Sequence, residues 1–237
     1  MDVAQVPVEP LADEAQLHLA VDLVVLTLRG DRFSVLLVRR DVDPYAGAWA
    51  LPGGFVRADE TLEAAAERVL TDEAPLAKAK VYLEQVRTFG DPARDPRGRV
   101  ISVVSMALGA DLPEPDTGDA VADAAWWPVD ELESLELAFD HRHLLAVAIE
   151  RARAKLEYST LATTFLPEQF TVSQLRRVYE SVWGVRLDPG NFHRKATRSA
   201  GFIDEVEGRV EETGGRPARL FRAGTGTELN PPLLRGH

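Results

Sequence analysis

The stretch 47–75 restricts the fold more than any other. It opens with Gly47-Ala48-Trp49-Ala50-Leu51-Pro52-Gly53-Gly54-Phe55-Val56, where three glycines and a proline rule out a helix and break any long strand. It then runs into TLEAAAERVLTDEA, made almost wholly of good helix formers, which Pro75 stops. A glycine-rich loop must therefore feed a helix over about residues 60–74. Positions 69, 72 and 73 are spaced i, i+3 and i+4, so they share one face of that helix. They hold Val69, Asp72 and Glu73.

Strands and helices alternate around this segment. Residues 19–28 (LAVDLVVLTL) read as a largely buried strand, Arg29-Gly30-Asp31 as a turn and 33–38 as the returning strand of a hairpin. Strand patterns come back at 81–89 and 100–108, separated by the turn-rich GDPARDPRGR, and at 124–127. A short helix is expected at 129–135, and Asp140 is placed to cap a longer one reaching about Tyr158. Residues 161–167 read as a linker. Beyond it, Thr171 and Gln174 form a capping box for a helix whose buried stripe is Leu175, Val178, Tyr179 and Val182, ended by Gly184. Asp188 and Pro189 start a second helix, NFHRKATRSA, that stops at Gly201. Thr213-Gly214-Gly215 then tips a hairpin that returns through 219–222. Two helices and a glycine-tipped hairpin make the winged-helix layout.

The first part resembles the Nudix family. Gly54, Glu60, Arg68, Leu70, Asp72, Glu73 and Leu76 fall on the pattern G-x5-E-x7-R-E-U-x-E-E-x-G-U, with U aliphatic, and residues 47–56 match its G-x-W-x-L-P-G-G-x-V lead-in. Trp127-Pro128-Val129-Asp130-Glu131-Leu132 is similar to the exit from the last Nudix strand, so the likeness covers about residues 19–150. It implies an α/β/α sandwich with a mixed sheet, in which three carboxylates on the helix hold Mg²⁺ against a diphosphate and activate a water. It also implies that Glu60 and Arg68 form a structural pair tying loop to helix.

This chain departs from the pattern on the chemical part. Val69 stands where the family has its first helix glutamate, Asp72 replaces a longer glutamate, only Glu73 matches, and Pro75 replaces the closing glycine. Valine neither binds a hard cation nor accepts a proton. Loss of a ligand that doubles as general base costs roughly 10² to 10⁴ in rate or more. The expectation is a binding domain with impaired hydrolysis, no catalytic residue, and only weak metal ligation by Asp72 and Glu73. A carboxylate elsewhere, such as Glu84 or Asp91, is an alternative base. No cofactor is required, although Mg²⁺ can accompany a phosphate ligand. The ligand implied is a nucleoside diphosphate, which needs cations and an aromatic face. Arg39, Gly53, Gly54 and Glu73 are candidates to line its pocket, with Trp49 and Phe89 either aromatic walls or plain core. Arg94, Arg97 and Arg99 sit on a loop that either closes over the ligand or is merely solvated.

Net charge is −11, which taken alone argues against a nucleic-acid partner, but the charge is uneven. Residues 1–159 carry 16 Lys and Arg against 29 Asp and Glu, whereas 160–225 carry 10 against 8. Asn191, Arg194, Lys195 and Arg198 repeat at i, i+3, i+4 and i+7, a face suited with His193 to the major groove, while Arg216 and Arg219 suit phosphate contacts from the wing. A winged helix used only for protein contacts is the blander reading. FLPEQFTVSQLRRVYESVWG, LDPGNFHRKATRSAGFI and GGRPARLFR are similar to the C-terminal half of the Nudix-related transcriptional regulators. That resemblance implies an α+β chain in four parts: a flexible arm (1–16), a Nudix-like sensor (17–158), a winged-helix DNA-binding domain (159–226) and a flexible tail (227–237). It further implies a homodimeric repressor of NAD-metabolism genes that senses ADP-ribose or a related nucleotide sugar and binds palindromic double-stranded operator DNA. The alternative is an active pyrophosphatase acting on ADP-ribose-like substrates. There is no cysteine, no apolar run long enough to span a bilayer and no secretory signal pattern, which together fit a cytoplasmic protein.

Overall fold

The computed structural model describes residues 16–72, 81–110, 112–115, 123–210 and 218–235. β1 (His18–Arg29) and β2 (Arg32–Arg39) form the expected antiparallel hairpin around Gly30, which adopts φ 60°. β3 (Trp49–Ala50) pairs with β2, and β4 (Gly53–Phe55) pairs antiparallel with β1. After α1 (Leu62–Asp72) come β5 (Tyr82–Phe89) and β6 (Val100–Leu108); β6 runs parallel to β1 and antiparallel to β5. β7 (Asp123–Pro128) closes on the other edge of β2. The sheet is therefore mixed.

Alternation along β1 divides the core in two. Val21, Leu23 and Val25 face α1, packing with Ala65, Ala66, Val69 and Leu70. Val24 and Leu26 face α2 (His141–Tyr158), packing with Leu144, Leu145 and Ala148. Side chains of a strand point alternately to its two faces, and both faces are covered here, which is why the run LAVDLVVLTL is apolar at nearly every position. The layers are helix, sheet, helix.

The second unit contains α3 (Val172–Trp183), α4 (Pro189–Arg198) and the hairpin β8 (Ile203–Val210) with β9 (Ala218–Ala223). The capping box of Thr171 and Gln174 forms, Asp188 accepts from Asn191 N, and Gly184 ends α3 at φ 70°. The hairpin tip predicted at 213–215 lies outside the described residues.

Four expectations change. Asp140 precedes α2 but makes no capping hydrogen bond; its carboxylate binds Arg94 instead. The short helix at 129–135 is a 3-10 segment, Val129–Ser134. The linker is not loose: Thr160–Phe165 is a 3-10 turn whose Ala162 and Phe165 are buried, and Phe165 meets Phe33 edge-on at 6.3 Å. The tail is not free either, since Leu229 and Leu233 are buried and Arg235 is ion-paired to α2. In each case an apolar or charged side chain found a partner that sequence spacing alone does not reveal. One apolar cluster consequently runs from the sheet through α2 into α3 and α4.

Candidate ligand pocket and nucleic-acid interface

A cavity of about 300 Å³ opens where β1, β2 and β4 meet the loop before β6 and the start of α2. Its floor is polar and buried. Asp22, the one charged residue in the apolar run of β1, accepts a hydrogen bond from the Ser102 hydroxyl on the neighbouring strand. Arg94 is buried and donates twice to Asp140, at 2.8 and 3.1 Å, with Asp22 3.7 Å away. His141 Nδ1 accepts from Leu51 N at 2.9 Å, so the ring proton sits on Nε2, 3.9 Å from Asp22 Oδ1. Burial pushes the His141 pKa down against the opposing pull of Asp22 and Asp140, which favours the neutral imidazole. Gly53 is required beside this floor: a Cβ there would lie 2.3 Å from Asp22 Oδ1 and 2.9 Å from Val21 O.

The walls are cationic and aromatic. Arg39 lines the cavity and donates to Gly47 O; Arg40 donates to the carbonyls of Pro44 and Val42, which holds the loop between β2 and β3 in place. Burial, with the nearby Arg97 guanidinium, lowers the Arg40 pKa against the opposing pull of Asp95, Asp41 and Asp43. Arg97 is held by Asp95, whose carboxyl stays below its ordinary range although burial opposes ionisation. The Arg97 guanidinium lies 5.2 Å from the Phe55 ring and 5.1 Å from the Phe139 ring. Phe139 sits at φ 51°, a backbone region that a bulky residue occupies only when its surroundings impose it. Convergent arginines beside aromatic faces suit a flat ring joined to phosphates.

Among the predicted pocket residues, Arg39, Gly53 and Gly54 line the cavity. Trp49 and Phe89 do not. Trp49 packs edge-on against Trp127, and Phe89 is buried against His143; each spends its face on the apolar core. Of the loop arginines Arg94 and Arg97 enter the pocket, while Arg99 donates to Gly90 O. Glu84 is tied to Lys155 and Arg151, and Asp91 accepts from Ala93 N, so neither faces the cavity. The pocket residues that spacing missed are Asp22, Arg40, Phe55, Phe139 and His141. Asp22 alone left a signal, an acid inside an apolar strand.

The Glu60–Arg68 pair is present: Arg68 donates to both Glu60 oxygens at 2.6 and 2.9 Å, and Arg57 N adds a third bond. These contacts hold the Glu60 pKa down at about 2. Val69 is buried among Val21, Leu23 and Ala66, and Asp72 is the exposed last residue of α1. Glu73 lies outside the described residues. Among the described residues no group of three His, Asp or Glu is gathered to hold a metal ion.

On α4, His193, Arg194 and Arg198 are exposed, whereas Asn191 and Lys195 are half-buried and turn toward the C-terminal segment. The free stripe therefore runs through 193, 194, 197 and 198. On the hairpin, Arg219 pairs with Glu205 at 3.0 Å and Arg222 lies 3.9 Å from Asp204, so part of their charge is neutralised within the chain. Arg216 lies outside the described residues.

The helix–sheet–helix sandwich with its loop-fed α1, followed by two helices and a hairpin with an exposed basic stripe, defines a Nudix-type domain joined to a DNA-binding winged helix. The NUDIX domain family matches residues 16–148, and the NrtR DNA-binding winged helix domain matches residues 162–223. The ADPR responsive transcriptional repressor NtrR of Acinetobacter baylyi is 32% identical over 206 residues, 86% of this chain and 81% of the relative. This chain belongs to that family of Nudix-related transcriptional regulators. The crystal structure of Shewanella oneidensis NrtR complexed with a 27mer DNA superposes with a TM-score of 0.73 at 32% identity, covering 87% of this chain and 94% of that one. The NUDIX domain of the same protein, solved with ADP ribose, gives a TM-score of 0.55 at 37% identity, over 61% of this chain and 94% of that domain.

Proposed function

We propose that this chain is a ligand-responsive transcriptional repressor. A nucleoside diphosphate of the ADP-ribose type occupies the pocket over Asp22, Arg94 and His141, and α4 binds double-stranded operator DNA. The observation that carries this reading is the position of α2. Its first residue, His141, lies in the pocket floor, while Arg153 near its other end exchanges hydrogen bonds with α3: Arg153 Nε donates to Val182 O, and Trp183 Nε1 donates to Arg153 O. One helix thus touches both the site that senses and the domain that reads. A ligand that favours one placement of α2 has a route to α4 through α3, and differential affinity for the two placements is all that regulation requires.

The same reading makes the domain a poor hydrolase. Val69 sits in the apolar core and supplies neither ligand nor base, and we derive no step through a metal. Mg²⁺ serves at most as a companion to the ligand's phosphates. A homodimer is part of the proposal, because a palindrome presents two half-sites to two linked readers. So are repression of NAD-metabolism genes and a cytoplasmic location.

The test uses the purified full chain and a duplex from the promoter region of its own gene that contains a palindrome. Salt-sensitive binding that ADP-ribose changes, without AMP release, supports the proposal. Absence of specific binding overturns it, and AMP release at enzyme-like turnover in Mg²⁺ replaces it with the pyrophosphatase.

A further inference from the structure

The winged-helix match ends at residue 223, yet the chain after it is built into the molecule. Gly224 N donates to Phe202 O and Gly226 N to Gly201 O, which pins the segment to the turn leaving α4. That contact is close: a Cβ on Gly224 would lie 2.2 Å from Gly201 O. The segment then crosses to the sensor's long helix. Thr160 N donates to Thr227 O, Leu229 N to Tyr158 O and Leu233 N to Glu157 O. Arg235 clamps the end, with Nε on Glu157 at 2.7 Å and its terminal nitrogens on the two Glu150 oxygens.

Leu233 is 4% exposed and, with Leu234, faces Asn191, Phe192 and Lys195 across a cavity of about 250 Å³. Residues 224–235 therefore bond to the turn after α4, share a cavity with α4 and bond to the C-terminal half of α2. α3 joins α2 to α4 through Arg153 on one side and Tyr179 against Phe192 on the other, and the segment 224–235 is a second connection between the same two helices. Neither polar end is accidental. Two charge-assisted bonds to Glu150 and one to Glu157 hold a planar guanidinium in a fixed orientation, and the Arg235 hydrogen bonds hold the Glu150 pKa below its usual range.

We propose that residues 224–235 are a strap that positions the recognition helix α4 on the sensor helix α2, with Arg235 and Leu233 as its positioning residues. The strap holds α4 where the sensor can move it, so losing it weakens operator binding and uncouples it from the ligand. This rests on the proposed function for its DNA readout only.

The full chain, Arg235→Ala, Arg235→Lys and Leu233→Ala are compared by three measurements. These are amide hydrogen exchange across 189–198, affinity for the palindromic duplex with and without ADP-ribose, and affinity for ADP-ribose alone. Expected for Arg235→Ala and Leu233→Ala is faster exchange in α4, operator binding weakened about tenfold, and a smaller change on adding ADP-ribose. ADP-ribose affinity stays within about twofold, and Arg235→Lys restores part of the loss. A merely stabilising strap would lower the melting temperature yet leave the ligand-dependent ratio of operator affinities intact, and that result overturns the proposal. So does unchanged exchange in α4. If the wild-type chain fails to bind the duplex, the proposed function falls, and hydrogen exchange in α4 still decides the strap.

Discussion

The pocket floor and the face of α4 are both built from ionisable residues, and they use them in opposite ways. In the floor, Asp22, Arg94, Asp95 and His141 are each under 10% exposed, and each is fixed by a partner. On α4, His193, Arg194 and Arg198 stand in solvent. A buried charge is tolerated only inside a complete network, so the floor is a rigid template whose members cannot be removed one at a time. An exposed charge contributes little to folding and is free to meet phosphate or a base edge. One region is therefore bound to the fold, the other to the partner.

Arg94→Ala is the harshest way to break this contrast. It leaves the buried Asp22 and the half-buried Asp140 without their cation; breaking a fully buried pair costs about 3–5 kcal/mol, and the partial exposure of Asp140 puts this change at or below the lower end of that range. The expected result is a large drop in the urea midpoint together with loss of ADP-ribose binding. A stability loss under about 1 kcal/mol would mean the floor is as tolerant as a surface. The double variant Arg194→Ala with Arg198→Ala should do the reverse. Its stability changes by less than about 0.5 kcal/mol, while operator affinity falls roughly 10²-fold and the salt slope drops by up to about 2. A matching change in the urea midpoint would erase the distinction between the two regions.

A smaller effect sharpens the comparison through pH. The folded pKa of His141 is depressed, so its neutral form is favoured in the native state and the unfolded chain binds the proton more readily. Stability from this group is therefore complete above the ordinary histidine pKa near about 6.5 and is lost as pH falls through the folded value. Urea midpoints measured at about pH 7.5 and 5.5 should show a decline that His141→Gln, which keeps an acceptor for Leu51 N, makes shallower. The Glu60–Arg68 pair does not confuse this window, because Glu60 titrates lower, with its contribution lost between about 4.5 and 2.

The contrast also explains what was legible beforehand. Short-range rules were enough for the hairpin around Gly30, the loop feeding α1, the Thr171 capping box and the Gly184 stop, since each depends on residues within a turn or two of one another; the α4 face was read one step off, because Asn191 and Lys195 turn toward the C-terminal segment and the exposed residues are His193, Arg194, Thr197 and Arg198. The Glu60–Arg68 pair was readable only through the resemblance to the Nudix pattern. The pocket floor was not, because Asp22, Arg94 and His141 are brought together by the parallel pairing of β1 with β6 and by the packing of α2, across more than a hundred residues of chain. Trp49 and Phe89 misled because aromatic residues suit a core as well as a pocket, and only the sheet's layering decides between them. The strap was missed because Leu233 and Arg235 sit in a proline-rich end that has no periodicity to betray them.

The smallest expected effect comes from a residue that belongs to neither pattern. Tyr179 on α3 is fully buried, with its ring edge-on to Trp183 at 4.7 Å and to Phe192 of α4 at 5.3 Å, yet its hydroxyl has no hydrogen-bond partner among the described residues. Burial alone pushes its pKa up. The ring does the packing that seats α4 against α3, while the hydroxyl makes no hydrogen bond to the described residues. Tyr179→Phe should therefore change stability by no more than about 1 kcal/mol, with gain as the expected sign, whereas removal of a satisfied buried hydroxyl would cost about that much. Operator binding should hold, because the α3–α4 contact is made by ring carbons. A loss well beyond 1 kcal/mol on chemical denaturation would show that the hydroxyl is satisfied after all, and that the winged helix, like the pocket, keeps a polar network inside it.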